Sequence, residues 1–159
     1  MATLTLGIKE SVTIGGTVHT FDTTTSSTDF DISGVNAMFR QSVNVPTTSG
    51  GVQYLKFDSA ASAGTLIQSD FKYMRLTNKN GAGGNFVTVT LQDSSSNHCI
   101  NFKLLANTSM YFTSLVFDTK DDSISLGTSG VTTLRATANE LRMQADSGAT
   151  DVDIFVAHA

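Results

Sequence analysis

The stretch FKYMRLTNKNGAGGNFVTVTLQ at 71–92 decides the fold class. From Phe86 to Leu91, Val87, Val89 and Leu91 fall on one side of an extended chain and Thr88 and Thr90 on the other. A repeat of two is the periodicity of a strand with one buried face, and a helix would scatter the same residues around its axis. Phe71 to Asn78 reads the same way, with Met74 and Leu76 on one face and Tyr73 and Arg75 opposite. The loop NKNGAGG at 78–84 joins the two segments, and its glycines permit the positive φ of a tight reversal. The spacing predicts a hairpin here.

The alternation continues in both directions. Leu4, Leu6 and Ile8 share a face while Thr3, Thr5 and Lys9 share the other, and Val12 and Ile14 resume the pattern. Val35, Ala37, Phe39, Val43 and Val45 oppose Asn36, Arg40, Ser42 and Asn44, until Pro46 removes a backbone donor and closes the strand. Gln53 to Asp58 adds another. On the C-terminal side Ile100, Phe102 and Leu104 point one way within 98–104, Met110 and Phe112 mark a short strand, and Val116 to Asp118 is a further candidate. Leu134, Ala136 and Ala138 precede Leu141, Met143 and Ala145, and the chain finishes with Val152, Ile154 and Val156. The stretches at 21–31, 46–51, 93–97 and 119–130 are Ser, Thr, Gly and Asp connections. Neither Ala60–Ile67 nor Val131–Met143 carries an i, i+3, i+4 stripe over three turns, so each holds at most a one-turn helical insert. Roughly ten short strands separated by turn residues point to a sandwich or barrel. The expected fold is all-β, an antiparallel two-sheet sandwich, jelly-roll-like, with short loop insertions. A chain of 159 residues forms one such domain, 1–159.

Composition narrows the function classes. The chain is 40% apolar but only 15% charged, with Ser, Thr, Asn and Gly supplying the polarity, a surface suited to packing against a partner. A net charge of -4 with scattered Lys and Arg provides no electrostatic footprint for nucleic acid. No apolar run approaches the roughly 20 residues of a membrane-spanning helix. The N-terminus alternates instead of opening as a secretory signal. One cysteine, Cys99, excludes an intrachain disulfide, which fits cytosolic synthesis, and reads as a small filler residue.

No chemistry-bearing constellation emerges, and the chain is expected not to be an enzyme. His19, His98 and His158 lack a sharp Gly-x-Ser-x-Gly turn that would present a nucleophile to a base. His98 and Cys99, consecutive in a strand, point to opposite faces and do not share a metal ion. Asp118, Asp121 and Asp122 form a turn without the spaced acids, central Gly and closing Glu of a helix-flanked calcium loop, and whether it holds a cation stays open. Asp151 and Asp153 occupy the wet face of the last strand. NGAGGN lacks the Lys and following helix of a phosphate cradle. No catalytic, cofactor or metal residues are therefore assigned. What remains is contact surface, for which Tyr73, Arg75, Phe86 and Phe155, each opposite a run of core residues, are the candidates.

The segments LTLGIKESVTIGG at 4–16, AASAGTLI at 60–67, DFKYMRLTN at 70–78 and DVDIFVAHA at 151–159 together resemble a family of small β-sandwich virion structural proteins of tailed phages, notably marine and cyanobacterial ones. The NKNGAGG loop departs from the acidic turn the family leads one to expect there. The resemblance implies no reaction and no cofactor. It implies assembly into a virion in the host cytoplasm, as a capsid decoration or cement protein that stabilises the shell through subunit contacts. The alternative is a tail-associated component, an adaptor, fibre or receptor- or carbohydrate-binding module. The partners are then the major capsid protein or tail proteins of the same virion and further copies of the chain, a trimer being favoured, with neither nucleic acid nor membrane involved.

Overall fold

Alternating apolar residues need two surfaces to bury against, and in the computed structural model they find each other across a pair of sheets. The structure describes residues 2–6, 9–14, 17–22, 30–58, 62, 64–92, 99–113 and 139–159. Among them there is no α-helix, only strands and one 3-10 turn at Gln68–Asp70. In chain order the strands are β1 (Ala2–Leu6), β2 (Lys9–Ile14), β3 (Thr17–Asp22), β4 (Phe30–Val35), β5 (Ala37–Val45), β6 (Val52–Asp58) and β7 (Thr65–Ile67). They continue as β8 (Phe71–Asn78), β9 (Val87–Gln92), β10 (Cys99–Leu104), β11 (Ser109–Thr113), β12 (Glu140–Ala145) and β13 (Thr150–His158).

Sheet I has four strands in the order β11-β8-β13-β5, and sheet II has five in the order β10-β9-β12-β6-β7. Two further sheets of two strands each pair β1 with β4 and β2 with β3. The fold is thus all-β, as the alternation predicts. Every described pairing is antiparallel except that of β6 with β7, which is parallel and lies at the edge of sheet II. Thr65–Ile67 therefore extends as a strand where a one-turn helical insert was an open expectation.

The pairings follow one rule. β5 runs against β13, β6 against β12, β8 against β11 and β9 against β10. The described strands from Ala37 onward thus pair as the rungs of one antiparallel ribbon, with β9–β10 the innermost rung and successive rungs placed alternately in sheet I and sheet II. The links β5–β6, β8–β9, β10–β11 and β12–β13 all pass from one sheet to the other.

This corrects the hairpin expected at 78–84. β8 and β9 belong to different sheets, and β9 pairs instead with β10 and β12, with Gln92 opposite Cys99. Glycines mark where a chain turns, but the partner of a strand is set by which neighbour completes its ladder and buries its apolar face. The side chain of Asn78, 1% exposed, holds the crossing loop in place. Its amide donates to the carbonyls of Asn85 and Leu104 at 2.9 and 3.3 Å, and its Oδ1 accepts from the Asn80 N–H at 3.0 Å.

One cluster of buried residues draws on both sheets. Val43, Val45, Met74, Leu76, Phe112, Val152, Ile154 and Val156 from sheet I meet Leu55, Phe57, Val87, Val89, Leu91, Leu104, Leu141, Met143 and Ala145 from sheet II. Phe57 and Phe71 pack edge to face with centroids 5.7 Å apart, a favoured aromatic geometry. Gly51, at φ +68°, turns the β5–β6 link where a Cβ would lie 3.1 Å from the Met143 carbonyl oxygen, so the turn and the close approach both require glycine. A second, smaller cluster lies on the other side of sheet I, where Val35, Leu4 and Ile32 of the β1/β4 pair pack on Tyr73, Ala157 and Phe155.

Some expectations shift in detail. Val35 ends β4 and joins the smaller cluster, so it does not share a strand with Val43 and Val45. Phe21, Asp22, Phe30 and Asp31 lie in strands where a connection over 21–31 was expected. Cys99 is exposed and free on β10, and does not fill the core. Ile8, His98, the segments 93–97 and 116–130 with Asp118, Asp121 and Asp122, and residues 131–138 with Leu134, Ala136 and Ala138 lie outside the described residues.

Candidate interaction surface

The same alternation that buries one side of each sheet fixes what the other side displays. On the outer face of sheet II the display is polar and internally paired. Thr90 Oγ1 donates to Asn101 Oδ1 at 2.8 Å across the β9–β10 ladder. Arg142 meets Glu140 at 3.3 Å and also donates to the carbonyls of Gly50 and Gly51. Lys56 and Asp58 stand 3.7 Å apart. Lys103 covers the half-buried ring of Phe86, its Nζ 3.8 Å from the centroid, a cation–π contact.

The outer face of sheet I is organised differently. Phe155 on β13 is opposite Arg40 on β5 and Arg75 on β8, and Arg75 is in turn opposite Tyr111 on β11. Arg40, Phe155, Arg75 and Tyr111 therefore form one row across the whole sheet, alternating guanidinium and ring. Adjacent strands lie about 4.8 Å apart, so the row is roughly 15 Å long. The Arg75 guanidinium is 5.8 Å from the Phe155 centroid. Arg40 is exposed, and Tyr111 retains 56% of its surface. No described ion pair joins Arg40 or Arg75 to a carboxylate.

To one side of the row lies the smaller cluster. Tyr73 packs against Phe155 at 6.0 Å and Tyr111 at 6.4 Å, and is only 2% exposed because the β1/β4 pair covers it. Its hydroxyl is buried without a hydrogen-bond partner among the described residues. Burial pushes the phenol pKa above its usual value; Arg75 opposes the rise and Tyr111 adds to it. Met38 on β5, 75% exposed, sits at the same level as Ala157 and Tyr73. On the other side the face becomes acidic and hydroxyl-rich. Ser42, Asp153, Thr77 and Ser109 form the next row, with the Thr77 and Ser109 hydroxyls 2.8 Å apart and Asp153 paired to Lys79 at 3.7 Å. Beyond it Asn44 donates to Asp151 at 2.8 Å.

The structure therefore gathers three of the four sequence candidates, Tyr73, Arg75 and Phe155, on the outer face of sheet I, with Tyr73 beneath β1/β4. Phe86 lies apart, half-buried against Lys103 of sheet II. Arg40, Tyr111 and Met38 complete the surface. The alternation already set Arg40 on the polar side of its strand, but only the ladder register shows that it shares a row with Phe155 and Arg75. The three tyrosines do not assemble: Tyr54 is on β6 of sheet II, half-buried, its hydroxyl donating to the Asn44 carbonyl at 3.0 Å. Among the described residues no three His, Cys, Asp or Glu side chains group as metal ligands, and His158 Nδ1 lies 3.2 Å from the Ala159 carbonyl oxygen. No protein family, no curated protein and no solved structure matches the chain.

Proposed function

We propose that the chain is a jelly-roll sandwich serving as a virion structural protein of a tailed phage, decorating the capsid and stabilising the shell through contacts with the major capsid protein and further copies. The strand order supports the jelly roll. Omitting the edge strand β7, the eight strands from β5 to β13 take the first, eighth, third and sixth places in sheet I and the second, seventh, fourth and fifth in sheet II. That is the order produced when an antiparallel ribbon of eight strands rolls up as two Greek keys, an architecture used by viral capsid and lectin domains. Architecture alone does not choose between those uses.

The observation that carries the structural reading is the outer face of sheet I, which offers a cross-strand row of aromatic and arginine side chains, the residue types enriched at protein interfaces. A carbohydrate-binding tail module would be favoured by several exposed rings forming one platform, whereas Tyr111 is exposed, Tyr73 is covered and Tyr54 is on the other sheet. A decoration protein acts by linkage: a subunit that binds the assembled shell better than its free components shifts the equilibrium toward the shell. Electron cryo-microscopy of purified virions tests the proposal by placing the domain on the capsid lattice, with particles lacking it expected to lose heat or osmotic resistance. Unchanged robustness with lost adsorption would transfer the protein to the tail tip.

A further inference from the structure

We infer that Asn80–Gly81, in the loop that carries the chain from sheet I to sheet II, is a site of spontaneous covalent modification, where the Asn80 amide converts to aspartate and isoaspartate and the loop comes untied from β13. The chemistry belongs to the loop and is independent of the virion assignment. Asn80 is the one asparagine in the chain that glycine follows. The turn accounts for two of the loop's three glycines and leaves Gly81 over. Gly83 adopts φ +80°, and a Cβ on Gly84 would lie 2.9 Å from the Gly81 carbonyl oxygen, so both positions require glycine. Gly81 has no positive φ and, beyond its chain neighbours, no atom within 4 Å of where its Cβ would stand. What glycine supplies there is an unhindered backbone nitrogen beside an asparagine side chain. Gly81 is exposed, and among the described residues its N–H donates to no acceptor.

The Gly81 nitrogen, giving up its proton, attacks Asn80 Cγ. The new N–Cγ bond closes a succinimide ring as the Cγ–Nδ2 bond breaks, and Nδ2 takes a proton and leaves as ammonia. Water then opens the ring. Addition at Cγ gives aspartate, and addition at the Asn80 backbone carbonyl carbon gives isoaspartate, whose main chain runs through Cγ. No oxidant or reductant enters, and the chain adds one negative charge to its net -4. Both products undo contacts that asparagine makes. Asn80 Nδ2 donates to Thr150 Oγ1 at 3.1 Å, and Thr150 in turn donates to the Gly148 carbonyl at 3.1 Å. A carboxylate has no proton to donate, so it competes with the Gly148 carbonyl for the single Thr150 hydroxyl proton. Isoaspartate also inserts a methylene into the backbone between two fixed points. On one side the Asn80 N–H donates to Asn78 Oδ1 at 3.0 Å, and on the other the Gly84 N–H donates to the Gly81 carbonyl at 2.9 Å. Thr150 is fully buried at the start of β13, so the loss falls where the last strand begins.

Long incubation of the folded wild-type chain at mildly alkaline pH, followed by peptide mapping with mass spectrometry and enzymatic detection of isoaspartate, tests this. Asn80 is expected to convert faster than any other asparagine, with more isoaspartate formed than aspartate. The rate should rise with pH, because the Gly81 nitrogen must lose its proton. Gly81→Ala, whose methyl group meets open space in the fold but hinders the attack, should stay folded and convert several-fold more slowly. Converted wild-type chain, separated by anion exchange on its extra charge, should unfold at a lower urea concentration and be cut sooner within 78–84 by protease than unconverted chain. If Gly81→Ala fails to fold, the ratio of isoaspartate to aspartate in the wild type still decides. A folded wild type that keeps its Asn80 amide while the urea-unfolded chain loses it would overturn the inference. So would Gly81→Ala converting as fast as the wild type, aspartate formed without isoaspartate, or converted chain as stable as unconverted chain.

Discussion

Sheets I and II bury equivalent inner faces and present unlike outer ones. The outer face of sheet II closes its polar groups on itself: Thr90 with Asn101, Arg142 with Glu140 and the 50–51 carbonyls, Lys103 on Phe86. The outer face of sheet I pairs its acids and hydroxyls, Asp153 with Lys79, Asp151 with Asn44 and Thr77 with Ser109, but keeps an arginine–aromatic row open and hides one tyrosine under the β1/β4 pair. A face whose groups are already paired gains little from a partner, because any new contact must first displace an existing one. A face whose guanidiniums meet no carboxylate among the described residues, beside partly exposed rings, gains both charge pairing and apolar burial. The difference teaches where association belongs, although both faces come from the same period-2 pattern.

The comparison breaks first if the two inner faces are not equivalent. Ile154→Ala in sheet I and Met143→Ala in sheet II remove side chains that are fully buried in one shared cluster. Each is expected to cost about 2–5 kcal/mol, and urea denaturation should show a single transition for both. Separate transitions would mean that the sheets do not share a core. A smaller loss, about 1–3 kcal/mol, is expected for Asn78→Ala by the same measurement, because the carbonyls of Asn85 and Leu104 and the Asn80 N–H lose their partner. That result locates the loop crossing as the tie between the faces.

Tyr73→Phe sharpens the comparison on the sheet I side and carries the opposite sign. Removing a buried hydroxyl that bonds to none of the described residues should raise the stability by about 1 kcal/mol. The pH dependence follows from the same burial. The folded phenol holds its proton more tightly than the unfolded one, so the folded state binds more protons once the pH exceeds the usual tyrosine value of 10.0. Stability should fall as the pH rises through that region toward the folded pKa, and Tyr73→Phe should flatten part of the fall. Tyr54, raised by burial as well, accounts for a remainder. Alkaline melts of the two proteins measure this, and parallel curves would show that Tyr73 ionises as freely folded as unfolded.

The smallest effects are on the surfaces themselves. Thr90→Val and Tyr111→Ser should each leave the stability of the monomer within about 0.5 kcal/mol. Only the second should weaken reattachment of the chain to particles that lack it. Equal effects of both would remove the distinction between the faces.

Much of this was legible in the sequence. Val87, Val89 and Leu91 are buried and Thr88 and Thr90 face outward, as their alternation requires, and the inward sets of β12 and β13 were visible for the same reason. Tyr73, Arg75 and Phe155 could be set on outer faces from parity alone. Partnership was not legible. Parity is local, whereas the pairing of β8 with β11 and β13 depends on segments more than thirty positions away, so NKNGAGG read as a hairpin while it carries the chain between sheets. For the same reason the row uniting Arg40, Phe155, Arg75 and Tyr111, drawn from four separate strands, had no sequence signature. The burial of Tyr73 depends on β1 and β4, whose apolar residues are too few to announce what they cover.

The central claim is that sheet I, and not sheet II, supplies the contact face, and the two faces carry natural probes for it. Tyr111 and Arg40 are exposed on the first, and the free thiol of Cys99 is exposed on the second. Side-chain labelling of the three, compared between free chain and particle-bound chain, reads both faces in one sample. The expected result is that Tyr111 and Arg40 lose reactivity on assembly while Cys99 reacts at an unchanged rate. Protection of Cys99 with Tyr111 and Arg40 still reactive would contradict the account.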